Sequence, residues 1–246
     1  IMSSKLKEKI TVVLSGEGAD ELLGGYGRIF RSPFDYANEK QSIGFYDYFI
    51  KKYEYVPRQM RDKLINTPLD YRSEFDTKLN KQFSDRSNEE NVFKFFHEYH
   101  VKGLLQRVDT TTMQTSVEAR VPFLDHNLIE FSYNMVPYDL KLKWINGKAK
   151  QHAKKLSSHK YSEKLDIPKY LLRKASYKYL PKEIIERRKM GFPVPLTEWF
   201  DNLEEIALKE LNTVSWLKKG VLEDLIRKSR TESIAGQILW MFINIE

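Results

Sequence analysis

The spacing of apolar and polar positions predicts one strand followed by a series of helices. Ile10 to Leu14 is a short apolar run, β-branched at its start and closed by the glycine loop "SGEG". Its length and its bounds predict a buried strand of a parallel sheet. "DELLGGY" predicts a helix that opens at Asp20, with Gly24 and Gly25 marking its end or a tight approach of helix to sheet. Phe45, Tyr48, Phe49 and Tyr53 recur at helical spacing, and Pro57 punctuates a second helix. "SDRSNEEN" (Ser84 to Asn91) is a polar loop that caps a long helix carrying Val101, Leu104, Leu105, Val108 and Thr112 on one face. The loop "SVEARVPFLD" follows, in which Pro122 forces Val121 into an extended form. Asp125 is placed to cap the helix bearing Leu128, Ile129, Ser132 and Met135.

From Lys141 to Lys164 the pattern breaks down into a lysine-rich stretch, expected to be a solvated insertion or hairpin loop. Two further helices follow, with Pro181 suited to a first helical position and Gly191 to a C-terminal cap. Ile238, Leu239, Phe242 and Ile243 give the last helix a wide apolar arc, as expected of core. A parallel strand cannot stand alone, because its backbone N–H and C=O groups need partners. The sheet of Ile10 to Leu14 must therefore be completed by something else.

Composition narrows the function classes. At 246 residues the chain is one large domain, or a domain with a smaller lobe, and is long enough for a sizeable core. It has no cysteine, which excludes disulfides, thiolate metal sites and cysteine nucleophiles, and suits a cytoplasmic location. No apolar run approaches the roughly 20 residues that span a bilayer, so no membrane association is expected. The opening "IMSSKLKEK" is too short and polar for a signal peptide. The formal charge of +7 invites a nucleic-acid partner, and aromatics interleaved with Lys51, Lys52 and Arg58 can stack bases. The basic residues are spread over many segments, however, so packing of the aromatic helices on the core is the preferred reading.

The chemistry concentrates in "SGEGADE". Loops of this kind, between strand and helix, usually cradle phosphate. This one lacks the lysine of GxxxxGK[ST], because Glu21 stands in its place, and GxGxxG fails at the same position. The backbone N–H groups of Gly16 and Gly18, with the helix N-terminus, can still accept an anion. Mg²⁺ takes one or two carboxylates together with phosphate oxygens, so Asp20 or Glu21 can serve as its ligand. Glu17 can face a substrate as a general base. The plainer alternative is that these acids only favour a helix start, and both readings stand on the residues alone.

"VVLSGEGADELLGGY" closely resembles the signature of the synthetase domain in the glutamine-dependent asparagine synthetase family. "RVDTTTMQTSVEARVPFLDHNLIEF" is similar to the second block of that family, and "KYLLRKASYKYLPKEIIERRKMGFPVPLTEW" to its third. The three blocks, in order, account for nearly the whole chain. The resemblance implies an α/β fold of the adenine nucleotide α-hydrolase (ATP pyrophosphatase) type, a parallel sheet flanked by helices. This chain would supply mostly helix and one or few parallel strands of it. It also implies an amide-forming ligase using ATP and Mg²⁺, in which the side-chain carboxylate of aspartate is adenylated and then aminated by ammonia from a glutaminase domain. Carried over by position, Ser15 and Gly16 match the nucleotide-contacting start of the loop, with Gly18 beside them. Glu17 matches the catalytic glutamate and Asp20 the magnesium ligand. Lys169 matches the catalytic lysine, with Arg173 one turn on along the same face, assigned to the nucleotide. Lys169 would then be the cation that the loop lacks, stabilising charge on the α-phosphate and the departing pyrophosphate.

Other residues are less defined. Arg107, Asp109, Glu118 and Arg120 lie in a segment that looks buried, which predicts an internal ion-pair network supporting the site; direct contact with the amino-acid substrate is the sharper alternative. "RRKMGFPVPL" is expected to fix a turn, with Arg188 or Lys189 within reach of pyrophosphate. Two parts of the family pattern, a cysteine-headed glutaminase domain and an SGGxDS loop, do not occur here. The expectation is therefore the C-terminal part of a larger synthetase, with little ligase activity on its own. A related enzyme acting on another carboxylate or closing a β-lactam ring, and a non-catalytic scaffold, are the competing readings. A homodimer is compatible with any of them.

Overall fold

The opening apolar run does form a strand, shorter and more exposed than its pattern predicts. In the computed structural model, which describes residues 2–39, 42–66, 70–187, 189, 196–218 and 220–244, strand β1 covers Val12–Leu14. It pairs in parallel with β2 (Glu118–Arg120), Val13 lying opposite Ala119. The "SVEARVPFLD" segment expected as a loop thus contains the partner strand. Its alternation of charged and small residues carries no apolar signal, so periodicity cannot find it. Val12 and Leu14 are 45% and 71% exposed. The expectation of a buried strand fails because, among the described residues, β1 and β2 pair only with each other.

The chain divides into two compact units, one of Ile1–Lys52 and Asp76–Arg187, the other of Tyr53–Phe75 and Arg188–Glu246. Both are mainly helical. In the first, the helix Phe45–Tyr53 buries Phe45, Tyr48 and Phe49, so its aromatic ladder packs inward rather than offering rings to bases. Phe30 meets Phe93 and Phe96 at ring-centroid distances of 4.3 and 4.7 Å. Rings at this separation and tilt gain electrostatic attraction beyond their burial. Ser87 and Glu90 form a capping box that starts the helix Asn88–Phe95. That helix runs through a π-helical segment, Phe96–His100, into Val101–Met113. Asp125 accepts hydrogen bonds from the backbone N–H groups of Asn127 and Leu128, capping His126–Met135 as expected. The inward face of this helix ends early, however. Ser132 is fully buried and donates to the Leu22 carbonyl at 3.2 Å, whereas Met135 is exposed.

The stretch 141–164 is no solvated loop. Strand β3 (Leu142–Trp144) pairs antiparallel with β4 (Asp166–Pro168), and the helices Gly147–Ala153 and Ser158–Tyr161 lie between them. Arg31 explains why so basic a stretch is ordered. Its guanidinium is fully buried, donating from Nε to Asp166 Oδ2 and from Nη2 to the Leu142 carbonyl, both at 2.9 Å. It also lies 3.8 Å from the centre of the Trp144 ring. One arginine therefore holds both strands and a ring between them. Lys141, at 4% exposure, is buried too, with its ammonium over the rings of Phe93 and Tyr133.

The second unit is built on the helices Leu196–Leu211, Val221–Ser229 and Ser233–Ile243. Ala207, Leu211, Leu225, Ile238, Leu239 and Phe242 belong to its core, so the last helix is core as its apolar arc predicts. Pro57 stands immediately before the helix Arg58–Leu64 and Pro181 immediately before Lys182–Ile185, each one position ahead of a first helical residue. Gly191 lies outside the described residues. No helix among the described residues is long and apolar enough to cross a membrane.

Candidate functional site

The acidic loop leaves β1 under tight backbone control. Ser15 N–H continues the parallel ladder, donating to the Arg120 carbonyl at 2.8 Å. Gly16 is exposed, with open space where a Cβ would stand. Gly18 has φ +92°, and a Cβ there would meet the Leu124 side chain at 2.5 Å. Both the left-handed backbone and the close contact therefore require glycine. The helix that follows, Ala19–Leu23, has only five residues and ends at Gly24 with φ +75°. A helix of little more than one turn sums few peptide dipoles, so anion attraction here rests on the loop N–H groups more than on the helix. Gly25 closes the turn because an added Cβ would stand 1.5 Å from Asp20 Oδ1.

The four charges that matter most point in different directions. Lys169 follows β4 directly in the left-handed region, at φ +53°. Its Nζ lies 2.8 Å from Asp20 Oδ1, and both side chains are a quarter exposed. Residues 149 positions apart in sequence thus meet because the Arg31–Asp166 pair anchors β4 just ahead of the lysine. Glu17 is half-buried, with Arg107 Nη2 3.8 Å away. Glu21 turns inward and is 1% exposed. It accepts a 2.6 Å hydrogen bond from Tyr26 OH and has His100 Nε2 at 3.9 Å.

Titration behaviour follows these positions. Burial, then the hydrogen bond to Glu21, pushes the Tyr26 phenol well above its ordinary range. Burial holds His100 below the usual imidazole value; Arg107 adds to this and Glu21 opposes it. The π-helical segment brings this histidine to the loop, since one extra residue per turn alters which side chains face a neighbour. Glu21 is therefore an internal anchor of the loop, and of the two acids considered for metal only Asp20 is presented beside Lys169.

Arg173, expected at the nucleotide, is held within this chain by two hydrogen bonds. Its Nε donates to the Pro168 carbonyl at 3.0 Å and its Nη1 to the Ile185 carbonyl at 2.9 Å. Both contacts are to backbone, and they clamp the chain on either side of the helix Tyr170–Ser176. The expected internal network of Arg107, Asp109, Glu118 and Arg120 is not found, because all four side chains are exposed. Arg107 reaches Glu17, and Arg120 donates to Glu118 at 2.6 Å. Arg188 lies outside the described residues. Sequence reasoning missed Arg107 as the partner of Glu17 and Gly25 as the residue that makes room for Asp20. The paired glycines after "DELL" carried the second signal; nothing in the sequence carried the first.

Among the described residues no three His, Cys, Asp or Glu side chains are grouped to hold a metal ion by themselves. Asp20 suits a divalent ion whose other ligands are phosphate oxygens and water, the arrangement Mg²⁺ commonly takes. The site thus combines loop N–H groups, one outward carboxylate beside an ammonium, and a second carboxylate at the loop crest facing a guanidinium.

Comparison with known proteins shows which family the chain resembles. The asparagine synthase family model matches residues 1–245. Asparagine synthetase [glutamine-hydrolyzing] 1 of Bacillus subtilis is 29% identical over 94% of this chain and 36% of its own length. Asparagine synthetase [glutamine-hydrolyzing] 3 of the same organism is 28% identical over 94% of this chain and 33% of its own. The root asparagine synthetase of Pisum sativum is 26% identical over 89% and 27% respectively. The chain thus spans about a third of the length of these relatives. No solved structure matches it. With the family model covering essentially every residue from β1 to the last helix, the chain belongs to the asparagine synthase family.

Proposed function

We propose that this chain provides the carboxylate-activating part of an ATP-dependent, amide-forming ligase that converts aspartate to asparagine, with AMP and pyrophosphate as co-products. The observation that carries the reading is the meeting of Lys169 with Asp20 beside the "SGEG" loop, in a chain whose relatives are named glutamine-hydrolyzing asparagine synthetases. In this reading the N–H groups of Gly16 and Gly18 receive phosphate oxygens. Asp20 would hold Mg²⁺, which supplies positive charge to the phosphate chain. Lys169, held beside Asp20 in this structure, would place its ammonium against the α-phosphate, where negative charge accumulates as the aspartate carboxylate attacks. Glu17 stands at the loop crest to accept a proton from the ammonia that displaces AMP. Arg107, 3.8 Å away, orients the Glu17 carboxylate for that task. Arg173 and the Arg31–Asp166 pair position the lysine without touching substrate. Ammonia from a glutaminase domain and a cytoplasmic setting complete the proposal.

The test is asparagine formation from aspartate, ammonia and MgATP by the protein expressed from its complete reading frame. Glu17→Gln keeps the size of the side chain and removes its basicity. The expected result is a loss of about 100-fold or more in amide formation with unchanged thermal unfolding. A wild-type rate would refute the role of Glu17.

A further inference from the structure

Away from the acidic loop, a groove of about 420 Å³ is lined by Lys78, Lys81, Lys94 and Lys102, and nothing in the proposed chemistry uses it. Two helical stripes build it. Lys78, Lys81 and Gln82 share one face of the helix Asp70–Gln82. Lys94, Glu98 and Lys102 recur four residues apart along the helix that continues through the π-helical segment. Among the described residues only Lys94 of the four lysines makes an ion pair, with Glu98 at 3.8 Å. Asp85 and Glu98 are the acids of the lining, so four ammonium groups against two carboxylates leave a net charge of two positive.

Gln82 supplies the second observation. Its Oε1 accepts a hydrogen bond from Tyr99 OH across the groove at 3.3 Å, which orients the amide. Its Nε2 is buried and finds no acceptor among the described residues. Buried donors without partners are rare, because each forfeits its hydration without compensation. A groove that combines excess ammonium charge with an unsatisfied N–H is short of one component, an anion that accepts hydrogen bonds.

The geometry points to a binding site for a compact, multiply charged phosphate group, with Lys78, Lys81 and Lys102 as its charges and Gln82 Nε2 as a donor that binding would uncover. Phosphate suits the lining better than carboxylate does. The groove has no arginine fork to match a planar carboxylate, whereas lysines meet a tetrahedral phosphate as point charges. A nucleic-acid strand fits less well, because its backbone needs a continuous basic track and Asp85 and Glu98 interrupt this one. The phosphate can come as a free polyphosphate or as the polyphosphate arm of a nucleotide, and the two are separated by experiment.

The measurement is calorimetric titration of the purified chain with inorganic tripolyphosphate and, separately, with a nucleoside triphosphate. Saturable binding of tripolyphosphate is expected. Because the acidic loop is itself proposed to bind ATP, the nucleotide is read through the affinity that Lys78→Glu/Lys81→Glu removes: a loss equal to that for tripolyphosphate means that recognition stops at the phosphates, and a larger one means that the base is also contacted. The double variant Lys78→Glu/Lys81→Glu should bind tripolyphosphate about tenfold more weakly or worse, and Gln82→Leu about threefold more weakly. Lys150→Glu, an exposed lysine on the helix Gly147–Ala153, should change affinity by less than about twofold. Lys169→Ala should likewise leave it intact, which separates this groove from the acidic loop and keeps the result independent of the proposed ligase activity. Absence of tripolyphosphate binding would overturn the proposal. So would an equal loss in Lys150→Glu, full loss in Lys169→Ala, or binding of a single-stranded oligonucleotide in place of the phosphates.

Discussion

Lys141 shows how far one residue can depart from what its type suggests. A lysine in a basic stretch is expected on the surface, yet its ammonium sits over Phe93 and Tyr133 with almost no exposure. Burial pushes its pKa down from 10.5 to about 8, with Glu90 opposing. Between those values the unfolded chain holds a proton that the folded chain has released. Stability therefore rises with pH across this window, and below about pH 8 the cost of burying the charge is fully present. Relative to Lys141→Met, the protein should gain stability between pH 8 and 10.5, up to the order of 3 kcal/mol. Urea unfolding of both proteins across that range measures it, and a difference that stays flat would contradict the burial of a charged Lys141. At this scale the sequence singled out Glu17, Asp20 and Lys169, and the structure brings the last two within 2.8 Å of each other. It was silent where a charge is buried against rings, since composition does not record what lies above a side chain.

At the scale of elements, the β3–β4 pair was the largest misreading. Its strands have three residues each, too short for an alternation to register, and a lysine-rich span separates them. The fully buried long-range pair in the region is Arg31 with Asp166, whose side chains are 1% and 0% exposed, and Tyr161 adds a second tie by donating to Asp35. Removing one member leaves the other charge buried without compensation, which typically costs about 3–5 kcal/mol. Asp166→Ala should lose that much in urea denaturation. A double replacement by apolar residues, Arg31→Met with Asp166→Leu, should recover a large part of it. A loss below about 1 kcal/mol for Asp166→Ala would show that the pair behaves like a surface contact. Helices were read more faithfully than strands. Their caps at Ser87 and Asp125 and the burial of Phe45, Tyr48 and Phe49 all rest on local spacing. The pairing of β1 with Glu118–Arg120 joins segments a hundred residues apart, and no local pattern encodes such a pairing.

For the whole molecule, the sequence suggested one large domain, or a domain with a smaller lobe; the chain divides into two compact units. The expectation that β1 needs partners was met by one strand, and the parallel pair keeps Val12 and Leu14 exposed. The family was legible from three ordered blocks, and the model match over residues 1–245 agrees with that reading. What a single sequence withheld was how distant parts converge: β4 delivering Lys169 to Asp20, and Arg107 reaching Glu17. These contacts make the acidic loop a candidate centre, while Asp20 and Glu21 also stand in the first turn of the helix Ala19–Leu23. The central claim is that this centre activates a carboxylate with ATP. It is tested most directly by aspartate-dependent exchange of labelled pyrophosphate into ATP, using the protein expressed from its complete reading frame, with and without Lys169→Ala. Exchange that requires aspartate and Mg²⁺ and falls about 100-fold or more in the variant is the predicted result. Exchange that is absent from the wild-type protein, or that persists undiminished without Lys169, would contradict it.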